Sequence, residues 1–215
     1  MSRIIIVDDH PLFRAALRQT LTGADSSVVV EEAGDLTALS AALEADRDCD
    51  LVLLDLNMPG AHGFSGLLLL RAQYPEVPVM IISAVEDHKV IRRTFELGAA
   101  GYLPKSVGPA EIRSAIDTVL RGEVFVPEGV SLGADDEQSA FVRRLSSLTP
   151  QQIRVLMMLS DGLMNKQIAY ELSISEATVK AHVSSILQKL DVDSRTQAVI
   201  AASRIEQGQF EQLLA

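Results

Sequence analysis

Leu51-Val52-Leu53-Leu54-Asp55-Leu56-Asn57-Met58-Pro59-Gly60 is the stretch whose reading decides the fold. Four apolar residues run into one carboxylate, and the chain then turns at Met58-Pro59-Gly60. A short continuous apolar run bounded by turn residues reads as a strand buried on both faces, the kind found in parallel sheets covered by helices. Open α/β sheets bind their ligands outside the carboxyl ends of the strands. Asp55 stands at such an end, which makes it the residue to explain.

Working outward, the same grammar repeats on both sides. Arg3–Val7 is an apolar run ending at Asp8-Asp9, and His10-Pro11 opens a helical pattern through Leu12, Ala16, Leu17 and Leu21, with Pro in the first turn where its missing N–H costs little. Val28–Val30 reads as a second strand and Leu36–Ala45 as a helix. After the central strand, Asp50–Asp55, come a helix over Phe64–Tyr74 and a strand over Val77–Ile82. A helix over Val90–Leu97 stops at Gly98, Ala100–Leu103 is the last strand, and Pro109–Leu120 is the last helix. Five alternations of strand and helix in succession predict a parallel sheet with helices on both faces. Right-handed crossovers place every strand's carboxyl end on one edge. Asp8, Asp9, Asp55, Ser83 and Lys105 all fall on that edge, just after four different strands.

This set has a chemical logic. Any one Asp after a strand is ordinarily a helix cap, and any one Lys a solvated charge. Three carboxylates gathered in one cleft repel one another unless a cation sits among them. Hard oxygen ligands with open positions suit Mg²⁺, which takes one or two carboxylates together with phosphate and water. Asp55 can then attack a phosphoryl donor to give an acyl phosphate. Lys105 supplies a point charge for the phosphoryl oxygens, Ser83 a hydroxyl donor, and Tyr102 a ring that can swing in when Ser83 moves. His10 is disfavoured as a ligand because Mg²⁺ avoids imidazole. Aspartyl-phosphate hydrolases put a second Asp two residues after the nucleophile as general acid; here that position is Asn57, which cannot donate a proton in that way, so sustained hydrolysis is not expected.

Residues 1–122 resemble the receiver domain of two-component response regulators. The resemblance rests on Asp8-Asp9-His10-Pro11, Leu54-Asp55-Leu56-Asn57-Met58-Pro59-Gly60, Ser83-Ala84 and Gly98-Ala99-Ala100-Gly101-Tyr102-Leu103-Pro104-Lys105. It implies a flavodoxin-like fold with a five-stranded parallel sheet and phosphotransfer from a sensor histidine kinase to Asp55. It also implies Mg²⁺ held by Asp9, Asp55, the Asn57 carbonyl and water, with Asp8 sharing or in the outer shell, and Ser83, Tyr102 and Lys105 as the groups that respond to the phosphoryl. Many receivers carry Pro after the lysine; here Ser106 follows Lys105 and Pro104 precedes it.

Residues 123–145 change character, with Pro127, Gly129, Gly133 and the acidic run Asp135-Asp136-Glu137, and read as a linker. Beyond it, Thr149-Pro150-Gln151-Gln152 is a helix start with Thr as cap, Pro at the first position and Gln three residues on. Ile153, Leu156, Met157 and Leu159 give that helix its stripe, and Asp161-Gly162 ends it. A second helix runs from near Asn165 to Leu172, Ser173-Ile174-Ser175 turns, and helices follow over Glu176–Leu190 and Arg195–Ile205. Two helices joined by so short a turn form a helix-turn-helix. On the third helix Val179, Val183, Ile186 and Leu190 share the inward stripe. Ala181, Ser184, Ser185 and Gln188 lie opposite, small enough for close entry to a major groove, with Lys180 on the flank. Lys180 is placed to reach guanine edges or phosphate, and Lys166, Thr178 and Arg195 to hold phosphates.

Leu148-Thr149-Pro150, Asn165-Lys166-Gln167-Ile168-Ala169, Leu172 through Val183, and Arg195-Thr196-Gln197-Ala198 resemble the LuxR-type output domain, so that residues 146–209 read as a small all-α, tetrahelical helix-turn-helix domain. With the receiver, the whole chain resembles a NarL/FixJ-type transcriptional response regulator. The resemblance implies a promoter-binding homodimer, with the fourth helix as the contact between output domains and RNA polymerase as a further partner. Asp191 and Asp193 stand where relatives often carry Gly or Asn. The rival reading keeps the DNA-binding domain but makes the receiver a phosphorylation-independent dimerisation or ligand module.

Composition agrees with a globular regulator. The 215 residues are 47% hydrophobic and carry a net charge of -10, which argues against a generic nucleic-acid binder. The charge is uneven: residues 1–125 hold 11 basic and 18 acidic side chains, whereas residues 146–215 hold 6 and 7. The output half is thus nearly neutral in an acidic chain. One cysteine, Cys49, excludes an internal disulfide and fits a reducing cytoplasm, and no run approaches the ~20 apolar residues of a membrane helix.

Overall fold

Strand β3 (Leu51–Leu54) forms where the apolar run requires it, with all four side chains buried. In the computed structural model, which describes residues 2–23, 28–59, 61–132 and 144–200, it is the middle strand of a five-stranded parallel sheet. The chain order is β1 (Ser2–Val7), α1 (Pro11–Thr22), β2 (Val28–Ala33), α2 (Leu36–Ala45), β3, a small antiparallel hairpin of β4 (Asn57–Met58) and β5 (Ala61–His62), α3 (Ser65–Gln73), β6 (Val79–Ser83), α4 (His88–Glu96), β7 (Gly101–Pro104) and α5 (Pro109–Leu120). The sheet order is β2-β1-β3-β6-β7. The chain leaves β1 for β2 on one side and returns to β3 on the other. The direction of winding therefore reverses between β1 and β3, where doubly wound sheets open a ligand crevice.

Side chains alternate across this sheet. Ile4, Ile6, Leu51, Leu53, Met80, Ile82 and Leu103 face one way and join Leu17 and Leu21 of α1 and Ile112, Ala115, Ile116 and Val119 of α5 in a single core cluster. Ile5, Val7, Val52, Leu54, Val79, Ile81 and Tyr102 face the other way, and all are buried. Burial of each such side chain stabilises the fold by roughly 1.5–3 kcal/mol. At Gly101 the sheet lies close under α5. A Cβ there would lie 2.6 Å from Met80 Cε and 3.2 Å from Val119 Cγ2.

Strand β2 runs on through Glu31 and Glu32, past the Val28–Val30 read from the apolar pattern. The extra length follows from charge pairing: Arg3 binds Glu31 through two nitrogens at 2.8 and 3.0 Å, and Arg14 and Arg18 bind Glu32 at 3.2 and 2.6 Å. The expected helices over Leu36–Ala45 and Pro109–Leu120 are found with those bounds. Helix α4 starts two residues before Val90 because Asp87 caps it, accepting from Lys89 N–H at 2.7 Å.

Residues 1–133 and 134–215 form separate compact units. In the second, Thr149 and Gln152 make the reciprocal capping box of α6 (Pro150–Ser160). The chain continues through α7 (Asn165–Glu171) and α8 (Glu176–Leu190). Residues 195–200 are helical; the rest of the expected helix to Ile205, and residues to 209, lie outside the described residues, as do Gly60, Gly133 and Asp135-Asp136-Glu137. Val179, Ile186 and Leu190 of α8 are buried with Ile153, Leu156 and Ile168, while Val183 is half-buried. Among the described residues no helix is long and apolar enough to cross a membrane.

Candidate functional site

The residues after β1, β3, β6 and β7 meet at one end of the sheet. Asp8 is fully buried and Asp55 is 2% exposed. Lys105 Nζ sits between them, 2.7 Å from Asp8 Oδ2 and 2.9 Å from Asp55 Oδ2. It also lies 4.6 Å above the centroid of the Phe13 ring, so an aromatic face from α1 completes the lysine's surroundings. Burial pulls the Lys105 ammonium towards the neutral form, but its hydrogen bonds to Asp8 and Asp55 outweigh that, and the net direction is upward. The lysine is therefore held charged where a second anion would arrive. Asp55 Oδ1 is buried and has no hydrogen-bond partner among the described residues. Its backbone N–H is fixed to Val7 O at 2.9 Å, which orients the carboxylate at the mouth of the crevice.

Ser83 is fully buried; its Oγ accepts from Val85 N–H at 3.3 Å and its carbonyl accepts from Lys105 N–H at 2.8 Å. Tyr102 is fully buried too, and its hydroxyl donates to Val85 O at 2.5 Å. The ring already lies inside in this structure. Burial pushes its phenol up to about 12, against a hydrogen bond with Ser83 that pulls it down. Asn57 is exposed, on the hairpin just beyond Asp55. No peptide among the described residues is cis, so Pro104, Lys105 and Ser106 continue through trans bonds.

Two neighbours were not legible as site residues. His10 Nδ1 lies 2.7 Å from Asp9 Oδ1 and 3.1 Å from Asp8 Oδ1, with its ring mostly exposed. Arg14 donates to the Asp8 carbonyl at 2.5 Å and so pins the loop that carries both aspartates. The Arg14 bond leaves no signal in spacing because it depends on how α1 turns back on the loop after β1, whereas His10 touches its own sequence neighbours. Ligand atoms of Asp8, Asp9, His10 and Asp55 all lie within 4.8 Å of one another. Three carboxylates around the buried, unpartnered Asp55 Oδ1 form a hard-oxygen donor set of the sort that fits Mg²⁺.

The second unit presents a different surface. Ala177, Lys180, Ala181, Ser184 and Gln188 are exposed along one face of α8, with Thr178 exposed at its first turn. Thr178 Oγ1 is 2.8 Å from Ser175 Oγ, and Lys180 pairs with Glu176 at 3.3 Å. Lys166 is exposed on α7. Arg195 is used inside the domain: its guanidinium donates to Asn165 Oδ1 at 3.0 Å and Leu163 O at 2.5 Å. Ser185, read as part of the outer face, accepts from Gln152 Nε2 at 2.8 Å, and Lys189 donates to Gln152 Oε1 at 2.9 Å and to Ser147 O at 2.7 Å. These bonds tie α8 to the start of α6 and set the angle at which its face is offered.

An acidic crevice at the switch point of a doubly wound sheet, followed by a helix-turn-helix unit, defines a class, and family models match both halves. Residues 4–117 match the response regulator receiver domain, and residues 146–202 match the luxR family of bacterial regulatory proteins. The chain belongs to the two-component response regulators that control transcription through a LuxR-type DNA-binding domain. It is 44% identical to the glycerol metabolism activator of Pseudomonas putida, over 96% of this chain and 97% of that one. It is 38% identical to the nitrate/nitrite response regulator NarP of Escherichia coli K12, over 92% and 93%. Among solved structures it is similar to a LuxR family DNA-binding response regulator from Silicibacter pomeroyi, with 38% identity and a TM-score of 0.54 over 60% of this chain and 98% of that one. RcsB from Salmonella enterica serovar Typhimurium, bound to promoter DNA with a phosphomimetic, matches 95% of this chain and 100% of that one at 23% identity and a TM-score of 0.55, a likeness of fold.

Proposed function

We propose that Asp55 is the phosphoacceptor and that its phosphorylation controls promoter binding by the LuxR-type domain. The observation that carries this reading is the Asp55 carboxylate itself: one oxygen held by Lys105 at 2.9 Å, the other buried and without a partner among the described residues. An oxygen that no donor occupies keeps its lone pairs free to attack. Asp55 Oδ1 bonds to phosphorus as the bond from phosphorus to the leaving nitrogen of a kinase phosphohistidine breaks, and the histidine retains that electron pair. Mg²⁺ held by Asp8, Asp9, Asp55 and the Asn57 carbonyl would offset the charge of the incoming phosphoryl group. Lys105, charged and stacked on Phe13, pairs with a phosphoryl oxygen. Ser83 and Tyr102 answer the new charge, Ser83 by donating its hydroxyl. Asn57 cannot act as a carboxylic acid, so the chain is a stoichiometric acceptor and not a turnover phosphatase.

The output is a homodimer on double-stranded promoter DNA in the cytoplasm, with RNA polymerase as a further partner. The small exposed face of α8 enters the major groove, Lys180 exchanging Glu176 for a base edge or phosphate. Ala181 and Ser184 line that face, Thr178 and Lys166 take phosphates, and Arg195 acts by holding the start of α7 in place. The domain bounds that support this reading are a receiver over 1–122, a linker over 123–145 and an output domain over 146–209.

The test is phosphorylation with a small phosphodonor and Mg²⁺, read by intact mass. Wild type should gain one phosphoryl group and Asp55→Asn none. Labelling of Asp55→Asn equal to wild type overturns the assignment.

A further inference from the structure

Strand β7 is the last strand of the sheet, and its outer edge is covered by the chain that follows α5. Gly122 N–H donates to Val119 O at 2.9 Å and Glu123 N–H to Thr118 O at 3.2 Å, turning the chain off the helix. Phe125 then runs parallel to β7. Its N–H donates to Ala100 O at 3.1 Å, its carbonyl accepts from Tyr102 N–H at 3.2 Å, and it bridges with Gly101. The Phe125 side chain is half-buried and packs on the core cluster that includes Met80, Leu103, Ile116 and Val119. Val130 N–H closes a turn on Pro127 O at 3.3 Å, and a Cβ on Gly129 would come within 3.8 Å of His88 Cε1, at the start of α4. The first part of the segment that composition marks as a linker is thus seated on the receiver.

We infer that the β7 edge is a docking surface for the chain's own segment 123–130, and that this docking sets the length of tether between receiver and output domain. The inference rests on the reading of Tyr102 as a residue that responds to phosphorylation. An uncovered sheet edge invites pairing with another strand, and here the chain supplies that strand itself. The attachment to β7 itself is slight, the two backbone hydrogen bonds of Phe125 and its half-buried ring, so it is a contact that a local change can release. Tyr102 joins the two ends of the signal. Its backbone N–H holds Phe125, and its hydroxyl holds Val85 O, two residues from Ser83. When Ser83 turns its hydroxyl to the phosphoryl group it releases Val85 N–H, and the Val85 carbonyl that anchors Tyr102 shifts with it, so that the strain reaches the Tyr102–Phe125 bond. Release of segment 123–130 at ~3.3–3.6 Å per residue adds at most roughly 26–29 Å of reach. That change alters the effective concentration at which two output domains meet on adjacent half-sites.

The experiment is amide hydrogen exchange on the full chain, read at Phe125 and Tyr102. In the unmodified protein both amides are protected. Phe125→Ala lowers protection of the Tyr102 amide, and Tyr102→Phe lowers that of Phe125, each by about tenfold. Val124→Ser, at an exposed neighbouring position, leaves both unchanged. Free exchange of Phe125 in the unmodified protein, or no effect of Tyr102→Phe on it, overturns the inference. Protection of Phe125 that rises with protein concentration also overturns it, because a second copy is then the occupant of the edge. A second arm adds Mg²⁺ and beryllium fluoride, with occupancy of Asp55 read by ¹⁹F NMR. Loss of Phe125 protection in the occupied protein supports the coupling, and retained protection overturns it. A missing ¹⁹F signal counts against the Asp55 reading alone, and the two variants still decide the docking.

Discussion

Tyr102 shows what a single side chain reports about this site. Its phenol is buried, with its ionisation pushed up to about 12 by that burial. In the unfolded chain the phenol ionises near its ordinary value of 10, so the folded state holds the proton more tightly. The stabilisation is fully present below pH 10 and is lost as pH rises from 10 towards 12. Thermal melts across that window should show a fall in stability that is shallower in Tyr102→Phe; identical pH slopes would place the phenol in solvent. The residues proposed to carry the chemistry were legible by position: Asp8, Asp9, Asp55 and Lys105 follow strands and Ser83 ends one, all at the sheet edge predicted for them. Phe13 and Arg14 were not. They come from the first turn of α1, and their contacts with Lys105 and the Asp8 carbonyl are fixed by packing, not by periodicity.

At the scale of elements, the second unit depends on caps and on one strained turn. Gln152 is 6% exposed and serves three partners: the Thr149 N–H, Ser185 and Lys189. Gln152→Ala removes the Gln half of the capping box and leaves part-buried polar groups unmatched, and should cost about 1 kcal/mol. A melt of the output unit reads this directly, and a change below ~0.5 kcal/mol would show that water replaces the network. Ser173 has the opposite character. It adopts φ 53° in the turn between α7 and α8, where a side chain is strained. Ser173→Gly should stabilise by up to about 1 kcal/mol, with the greater entropy of an unfolded glycine limiting the gain; a loss of stability would show that the serine side chain holds the turn. The α6 cap was plain in Thr149-Pro150-Gln151-Gln152, because a capping box is local. Gln152's further reach to Ser185 and Lys189, more than thirty positions along the chain, was not. That same contact explains why Ser185 turns inward although its spacing put it on the outer face. Asp191 is a similar case. It ends α8 at φ 57°, a conformation usual for Gly, and Arg144 pairs with it at 3.2 Å.

At the scale of the molecule, the two halves differ in how far the sequence alone describes them. The receiver is a closed problem of alternation: strands buried on both faces, helices between them, one functional edge. The output half is nearly neutral in an acidic chain, and its described surface cations on α7 and α8 are few, Lys166 and Lys180 foremost. Phosphate contacts supply the sequence-independent part of DNA affinity. With so few of them, a single unmodified domain should bind random DNA weakly, and useful affinity must come from pairing two domains on adjacent half-sites. The segment after α5 reads as linker by composition because Pro127 and Gly129 break regular structure, yet Phe125 is an apolar side chain with a place on β7. On this reading the state of Asp55 sets DNA binding. The most direct measurement is the affinity of the full chain for its selected promoter fragment, with and without Mg²⁺ and beryllium fluoride, at one fixed salt concentration. The phosphomimetic should tighten binding at least about tenfold, within the usual range of allosteric coupling, and do nothing in Asp55→Asn. Equal affinity in both states of the wild-type protein, or an equal gain in Asp55→Asn, would contradict it.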